Sequence, residues 1–399
     1  MRTRTFCAFL LTLSAFTPLK AAEKLQESRI FPILAWGGPP ADQTNVERYR
    51  ELADAGFTHN YSGASNLDGA HKMLQVAQQT GIKVVLSTPE LQADPETTAR
   101  KFKDHPALGG YFLRDEPGAN LFPELAAWVK RIQSVDPAHP CYINLFPNYA
   151  NAEQLQVPSY DQYVRRYVAE VPVPVISFDH YPVIGPAAVR GEWYHNLEVV
   201  SEAARKANKP MWGFCLAVAH DPYPVATLEH LRLQAFSNLA YGGQAIQYFT
   251  YWTMKSDTWN FHEGPIGLDG KRTPVYDRVK QVNQEIQGFR PVFLGAKVLS
   301  IGHTEPLPAG TRPLQPVGPV KSLQAGGDGA LISHLEKGDR QFLVIVNRSL
   351  ARELPLKVTL HTMNGIDRVE KTGEVHPMTG DTHTAGLPPG DVFVLSWRK

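Results

Sequence analysis

The chain has 399 residues, of which 43% are hydrophobic and 20% charged, a composition typical of a globular protein long enough for two domains. Its 40 basic and 39 acidic residues give a formal net charge of +1. No basic excess is present to neutralise phosphates, so we expect no nucleic-acid partner. Aromatic residues make up 10% of the chain, and besides filling cores they can offer flat faces to ligand rings, so their positions are followed below.

The first residues resemble an export signal. Arg2 and Arg4 precede an apolar run over residues 6–16, and two alanines at positions 21 and 22 come just before a charged stretch. The run is too short for a membrane span, and no later segment reaches the necessary length. We therefore predict a signal peptide over residues 1–22, a mature protein that is secreted or periplasmic, and no membrane span.

Residues 30–290 repeat one pattern, in which a short apolar or aromatic run is followed by an amphipathic stretch with helical spacing. Eight such units predict an α/β fold, a (β/α)8 TIM barrel, over residues 23–295. A doubly wound sheet is the alternative, but the turn after the first strand contains Pro39 and Pro40, which lack the N–H groups of a phosphate loop. The predicted strands are residues 30–36, 58–61, 83–87, 108–114, 141–146, 175–179, 211–216 and 245–252.

The sequence changes character after residue 290. A proline-rich segment, residues 306–319, predicts a loop or linker. Short alternating runs at 330–335, 341–347, 354–360 and 392–397 then predict strands. We predict a small antiparallel β-sandwich over residues 296–399 that packs against the barrel.

Two cysteines, Cys141 and Cys215, follow the predicted signal peptide and fall on the fifth and seventh predicted barrel strands. One strand separates them, which places their Cα atoms roughly 9–10 Å apart. A disulfide bridges at most roughly 7 Å. The prediction is two buried free thiols.

Barrel enzymes keep their active sites at the carboxyl ends of the strands, so the residues that close each strand are the candidates. Strand four closes with Asp115 and Glu116, and strand six with Asp179, His180 and Tyr181. The other closing or nearby residues of interest are Trp36, Asn144, Trp212, His220, Tyr251 and Trp252.

This rim combines carboxylates with aromatic faces and carries no metal or phosphate motif, so we expect no metal and no cofactor. Cleavage of a glycosidic bond uses carboxylates for the chemistry and aromatic faces for sugar binding. One carboxylic acid protonates the leaving oxygen, a second carboxylate acts as nucleophile or activates water, and aromatic rings orient the sugar. The other interpretation of Asp115 and Glu116 is that they cap the next helix.

The segment GYFLRDEP, residues 110–117, resembles the strand-four motif of clan A glycoside hydrolases, where Asn-Glu-Pro supplies the acid/base Glu. GGQAIQYF (242–249) and LDGKRTPVY (268–276) are similar to the strand-eight region of family 42-like β-galactosidases and their relatives. The resemblance implies that Glu116 is the acid/base and that Trp252 forms the floor under the sugar. It further implies that Tyr181 or His180 hydrogen-bonds the second carboxylate.

Two positions depart from the clan pattern. Asp115 replaces the Asn, and its charge is expected to raise the pKa of Glu116. The clan nucleophile, a Glu at the end of strand seven, is missing from MWGFCLA (211–217). Asp179 is our first choice for the second carboxylate, with a helix cap or a partner of His180 as its alternative role. The rivals for that position are Asp221, Glu263 and Glu90.

The sequence therefore predicts a secreted glycoside hydrolase that acts on an extracellular poly- or oligosaccharide, with Glu116 and Asp179 as the catalytic pair. The alternative is a non-catalytic carbohydrate-binding barrel, motivated by the missing strand-seven Glu. Two carboxylates that face each other in the barrel mouth would distinguish the hydrolase from the binding protein. The predicted substrate-binding residues are Asp115, Trp36, Asn144, His180, Tyr181, Trp212, His220, Tyr251 and Trp252.

Overall fold

The computed structural model describes residues 23–361 and 365–399, and the predicted signal peptide lies outside these ranges. Among the described residues, every helix is too short or too polar to cross a lipid bilayer.

Eight parallel strands close into a barrel, which confirms the predicted fold. Each strand pairs with the next one along the chain, and the eighth pairs with the first to complete the ring. The observed bounds differ from the predicted ones by three residues at most. The strands are β1 Ile33–Trp36, β2 His59–Tyr61, β3 Lys83–Leu86, β4 Leu108–Asp115, β5 Cys141–Leu145, β6 Ile176–Phe178, β7 Met211–Leu216 and β8 Gly243–Phe249.

The barrel helices begin and end at residues suited to those positions. Asn45 caps α1 by accepting a hydrogen bond from the backbone N–H of Arg48 at 3.0 Å. Gly81 ends α2 with φ +75°, a left-handed conformation that glycine adopts readily. The helices are α1 Val46–Asp54, α2 Leu67–Thr80, α3 Pro89–Ala93, α4 Pro95–Phe102, α5 Phe122–Gln133, α6 Ala152–Leu155, α7 Tyr160–Glu170, α8 Trp193–Ala207, α9 Leu228–Ala240, α10 Pro274–Gly288 and α11 Arg290–Phe293.

Both cysteines are free and buried, Cys141 at the start of β5 and Cys215 near the end of β7. This confirms the prediction of two buried thiols. Strand β6 separates their strands in the barrel.

The C-terminal part of the chain forms two antiparallel sheets, as predicted for a sandwich. The strands are β9 Lys297–His303, β10 Val320–Ala325, β11 Ala330–Lys337, β12 Arg340–Asn347, β13 Leu354–Leu360, β14 Ile366–Val369, β15 Glu374–Pro377, β16 Thr382–Leu387 and β17 Val392–Arg398. The seven-stranded sheet has the order Glu23–Lys24, β15, β14, β17, β12, β11, β9, and the three-stranded sheet has the order β10, β13, β16. The proline-rich segment 306–319 lies between β9 and β10, so it is a loop inside this region.

The larger sheet packs on the barrel with one face and on the smaller sheet with the other. Along β12, Val344 and Val346 belong to the barrel core, whereas Leu343 and Ile345 belong to the core between the two sheets. This alternation follows from the two-residue repeat of a strand. The sandwich and the barrel therefore share a continuous apolar interface.

Candidate active site

The candidate site begins at the carboxyl end of β4. Asp115 is the last residue of the strand, and Glu116 follows with φ 43°, in the left-handed region. The backbone N–H of Glu116 donates to the carbonyl of Asn144 at 2.9 Å, which holds this conformation. A left-handed conformation is costly for a residue with a Cβ, and such strain concentrates at functional sites.

Three neighbouring strands bring the carboxylates together. Asp115 is in register with Asn144 on β5, and Asn144 is in register with Ser177 on β6, two residues before Asp179. The side-chain nitrogen of Asn144 donates to Oδ1 of Asp115 at 3.1 Å and to Oδ1 of Asp179 at 3.0 Å. Asp179 and Asp115 lie close enough to Glu116 for their charges to raise its pKa.

Buried polar side chains fix the orientation of Asn144. Ser177 donates to its amide oxygen at 2.9 Å, and Gln247 on β8 donates to the hydroxyl of Ser177 at 2.8 Å. All three side chains are buried. Because the amide oxygen already accepts a hydrogen bond, the amide nitrogen faces the two aspartates.

The environment favours the protonated form of the acids. Burial raises the pKa of Glu116 to about 9, and the charges of Asp179 and Asp115 add to the rise. Burial and the charge of Asp115 raise the pKa of Asp179 to about 7, against the effect of hydrogen bonds from Tyr181 and Asn144. At neutral pH, Glu116 therefore retains its proton while Asp179 is partly ionised.

The three acids open into a cavity of about 470 Å³, called the carboxylate cavity below. Its remaining wall is largely aromatic. Tyr149 and Trp259 are 41% and 51% exposed, and the guanidinium of Arg190 lies over one face of the Tyr149 ring, 4.8 Å from its centroid. The other lining residues are Phe146, Pro147, Ala150, Gln154, Tyr181, His220, Tyr223, Phe249 and Phe261.

The predicted site residues divide into those that lie at the carboxylate cavity and those that lie away from it. Asp115, Glu116, Asp179, Tyr181 and His220 line the carboxylate cavity. Asn144 lies next to it, bonded to two of the acids as described above.

His180 faces away from the carboxylates. It is buried, and its Nδ1 lies 3.0 Å from the side-chain oxygen of Asn196. Burial lowers the pKa of His180 to about 4, so its ring is neutral at physiological pH. Of the two candidates to hydrogen-bond the second carboxylate, Tyr181 lines the carboxylate cavity with Asp179, and His180 does not.

Four predicted aromatic platforms do not line the cavity. Trp36 packs in the barrel mouth against Tyr61 and Phe249, with ring centroids 5.0 and 5.3 Å apart. Trp212 is the second residue of β7, so it lies deeper in the barrel, 5.6 Å from the ring of Tyr142.

The other two follow the end of β8. Tyr251 is fully buried against Phe57, with ring centroids 5.3 Å apart. Trp252 lines a different cavity, under the guanidinium of Arg48 at 5.3 Å. Phe249, the last residue of β8, lines the carboxylate cavity, and the prediction that Trp252 forms its floor is corrected accordingly.

The three rival carboxylates also lie outside the carboxylate cavity. Asp221 accepts a hydrogen bond from the Asn260 side chain at 3.1 Å in an exposed loop. Glu263 is exposed, and Glu90 is in the first turn of α3. Among the described residues, Asp115 and Asp179 are the carboxylates that share the cavity with Glu116.

Most of the aromatic wall was not identified from the sequence. Its members lie in loops after β5, β7 and β8, where strand and helix periodicity gives no guidance. A local signal does exist, because aromatic residues recur in the stretches NLFPNYA (144–150) and TWNFH (258–262). Counting aromatics in the loops at the carboxyl end of the barrel would have identified them.

Comparisons with known proteins agree on the fold. No protein-family model and no curated protein matches the sequence. Among solved structures, a β-galactosidase from Bacillus circulans sp. alkalophilus is similar with a TM-score of 0.61 and 10% identity, covering 93% of this chain and 99% of that one. A GH42 β-galactosidase from G. stearothermophilus gives a TM-score of 0.57 and 10% identity, covering 95% and 100%.

A third neighbour, the β-galactosidase from the psychrophilic Marinomonas ef1, gives a TM-score of 0.50 and 11% identity. It is matched over 65% of this chain, which spans 60% of that protein's length. At these identities the likeness defines the fold alone. The chain is a (β/α)8-barrel protein with the fold of GH42 β-galactosidases and related glycosidases.

Proposed function

We propose that the protein is a glycoside hydrolase in which Glu116 is the general acid and Asp179 its partner carboxylate. The observation that carries this proposal is that Glu116 and Asp179 line one largely aromatic cavity together with Asp115, in surroundings that raise the pKa of Glu116. The predicted export signal adds that the substrate is a poly- or oligosaccharide outside the cytoplasm.

The raised pKa of Glu116 suits the role of an acid. A group that donates a proton to a leaving oxygen at neutral pH must first retain that proton, and burial beside two other carboxyls achieves this here. The negative charge that Asp179 carries when ionised would stabilise the positive charge that develops on the sugar in the transition state. The exposed ring of Trp259 is suited to stacking on a sugar ring.

The test is release of reducing sugar from a panel of plant, algal and animal glycans and of aryl glycosides. Wild type is compared with Glu116→Gln and with Asp179→Asn, and Glu263→Gln is the matched control because its carboxylate lies outside the cavity. Loss of an acid catalyst lowers the rate by about 10²–10⁴-fold. We expect that loss for Glu116→Gln on natural glycans, a smaller loss on aryl glycosides with good leaving groups, and no loss for the control.

The second candidate function is carbohydrate binding without cleavage, which is favoured by the absence of a carboxylate from the described strand β7. If wild type and Glu116→Gln bind one glycan equally and neither cleaves any, binding is the correct function. Cleavage that survives intact in Glu116→Gln would place the acid elsewhere and contradict the proposal.

A further inference from the structure

A second cavity lies at the same end of the barrel as the carboxylate cavity. Its volume is about 620 Å³, against about 470 Å³ for the carboxylate cavity. The residues that line it lie in the turns after β1 and β2 and in the loop after β8, apart from Arg48 in the first turn of α1. The carboxyl ends of the strands carry the binding sites of barrel enzymes. A cavity of this size in that position is a candidate binding site, called the second cavity below.

One pair of aromatic side chains lies between the two cavities. Trp36 ends β1 and Phe249 ends β8, the two residues are in register, and their ring centroids lie 5.3 Å apart. Phe249 lines the carboxylate cavity, whereas Gly37, next to Trp36, lines the second cavity. The loop after β8 contributes to both, since Trp259 lines the first and residues 252–255 line the second. The cavities are therefore neighbours, with the half-buried Trp36 between them.

The side chains of the second cavity suit a neutral ligand that is rich in hydroxyl groups. Two of them are acidic and two are basic, so that their charges balance: Asp42, Asp269, Arg48 and Lys255. Ser62 adds a hydroxyl group. A sugar hydroxyl both donates and accepts hydrogen bonds, so it can pair with donors and acceptors alike. A strongly anionic chain would find no excess of positive charge here.

We propose, resting on the glycosidase function above, that the second cavity is a further sugar-binding site for a neutral oligosaccharide chain. The chain places one unit in each cavity and one across Trp36, so it needs about three units or more. Binding in the second cavity holds the bond to be cleaved at Glu116. Binding energy gained far from the reacting bond raises kcat/KM. The protein therefore cleaves long chains faster than short ones.

Gly63 provides a way to fill the second cavity without disturbing the barrel. It is exposed, it lines the cavity, and a Cβ added to it would meet no atom within 4 Å apart from its chain neighbours. Its φ lies outside the left-handed region, so a residue with a side chain is tolerated there. Gly63→Phe therefore places a ring in the cavity. The matched control is Gly326→Phe in the sandwich, where an added Cβ would meet Pro355 at an ordinary contact distance of 3.5 Å.

The first experiment measures kcat/KM on cello-, manno-, xylo- and galacto-oligosaccharides, each from the disaccharide to the hexasaccharide. In the series that wild type cleaves, we expect kcat/KM to rise with length by at least about tenfold. Gly63→Phe should lose that rise and keep the wild-type value on the shortest chain cleaved, whereas Gly326→Phe should behave as wild type throughout. Circular dichroism confirms that the variants fold. Rates independent of chain length in wild type, or a rise that survives in folded Gly63→Phe, would overturn the inference and leave the glycosidase function intact.

A binding experiment gives a readout that does not depend on turnover. Calorimetry measures the affinity of Glu116→Gln for the same disaccharides and hexasaccharides and for oligogalacturonides. We expect a neutral hexasaccharide to bind at least about tenfold more tightly than its disaccharide, and the addition of Gly63→Phe to remove the difference. Equal affinity for both lengths, or tighter binding of the acidic chains alone, would overturn the inference.

The two experiments together separate the inference from the glycosidase function. If long neutral chains bind through the second cavity but wild type cleaves none of them, the second cavity stands as a sugar-binding site and the glycosidase function fails. Failure of wild type both to bind and to cleave any of these chains would overturn the inference and the glycosidase function together.

Discussion

Asn144 and Asp179 are joined by a 3.0 Å hydrogen bond from the amide nitrogen of the first to the carboxylate of the second. The same nitrogen donates to Asp115 at 3.1 Å, so one neutral donor lies between two acids that repel each other when ionised. Because the hydrogen bond favours the ionised form, it holds the pKa of Asp179 below the value that burial alone would produce. Asn144 is therefore a positioning residue that also adjusts the charge of the site.

Replacing Asn144 with Leu removes the donor and keeps a similar volume. We expect the pKa of Asp179 to rise, so that the acidic limb of kcat/KM moves to higher pH and activity at pH 6 falls by about 10–100-fold. The measurement is a pH–rate profile of the variant beside wild type, with circular dichroism to confirm folding. Ser177→Ala removes the donor to the Asn144 amide oxygen and the acceptor for Gln247 but keeps the amide nitrogen, so it is expected to give a smaller shift in the same direction. An unchanged profile would mean that Asn144 has a purely structural role.

The pH dependence of wild type follows from the two raised pKa values. Activity requires ionised Asp179, whose pKa is about 7, and protonated Glu116, whose pKa is about 9. The profile of kcat/KM is therefore expected to rise through the first value and fall through the second, with its maximum between them. An optimum below pH 5 would contradict the assignment of the two roles.

The raised pKa of Glu116 also makes the stability of the folded protein depend on pH. Its pKa is raised in the folded protein from 4.5 to about 9, so the folded state binds the proton more tightly than the unfolded chain. This stabilisation is fully present below pH 4.5 and is lost as the pH rises through 9. Glu116→Gln carries no such group, so we expect it to be more stable than wild type by about 1–2 kcal/mol at pH 9 and no more stable at pH 4. Thermal unfolding across this range, with Glu263→Gln as the control, measures the difference.

The barrel was predictable because its signals are local. Each strand is a short apolar run, each helix has its own periodicity, and turn residues such as Gly81 separate them. The meeting of Glu116 and Asp179 was predictable for a related reason, since residues that close parallel strands share one end of the barrel. The bridge from Asp115 to Asp179 through Asn144 depends on strand register, which the sequence pattern does not specify.

The errors lie where the chain leaves regular structure. Strand eight was predicted to run to residue 252, but it ends at Phe249, and Trp252 then donates its backbone N–H to Gly37 at 2.9 Å. That turn carries the Trp252 side chain to a neighbouring cavity. Strands β9, β10, β14, β15 and β16 were not predicted. Strands β10 and β16 alternate between exposed and half-buried residues and lack a continuous apolar face.

Trp259 is expected to act in substrate binding. Its side chain is 51% exposed at the rim of the carboxylate cavity, and its ring lies 5.7 Å from that of His220. Replacing Trp259 with Ala removes a stacking face worth about 1–2 kcal/mol, so KM should rise by about tenfold with little change in kcat. The thermal midpoint should not change, because the side chain contributes little to the core. Steady-state kinetics of this variant and of Leu268→Ala, which is 53% exposed outside the cavity, provide the comparison.

A buried group of four charges joins the barrel to the larger sheet of the sandwich. Arg232 on α9 donates to Glu285 on α10 at 2.9 Å and lies 3.7 Å from Asp391, which precedes β17. Lys371 reaches the same Asp391 at 2.6 Å. Arg232, Glu285 and Asp391 are 8–12% exposed as side chains, so solvent screens the pairs poorly.

Removing Arg232 leaves Glu285 and Asp391 with Lys371 as their remaining cation in the group. We expect Arg232→Met to lower the free energy of unfolding by about 3–5 kcal/mol, since a buried charge is left poorly compensated. Lys206→Met, which breaks an exposed pair with Glu202, should change it by less than about 1 kcal/mol. Urea unfolding followed by fluorescence and circular dichroism gives both values. The apolar interface continues from the barrel to the sandwich, so the fluorescence and circular dichroism transitions should shift together. A separate transition in which the sandwich unfolds before the barrel would show that the charge group does not join them.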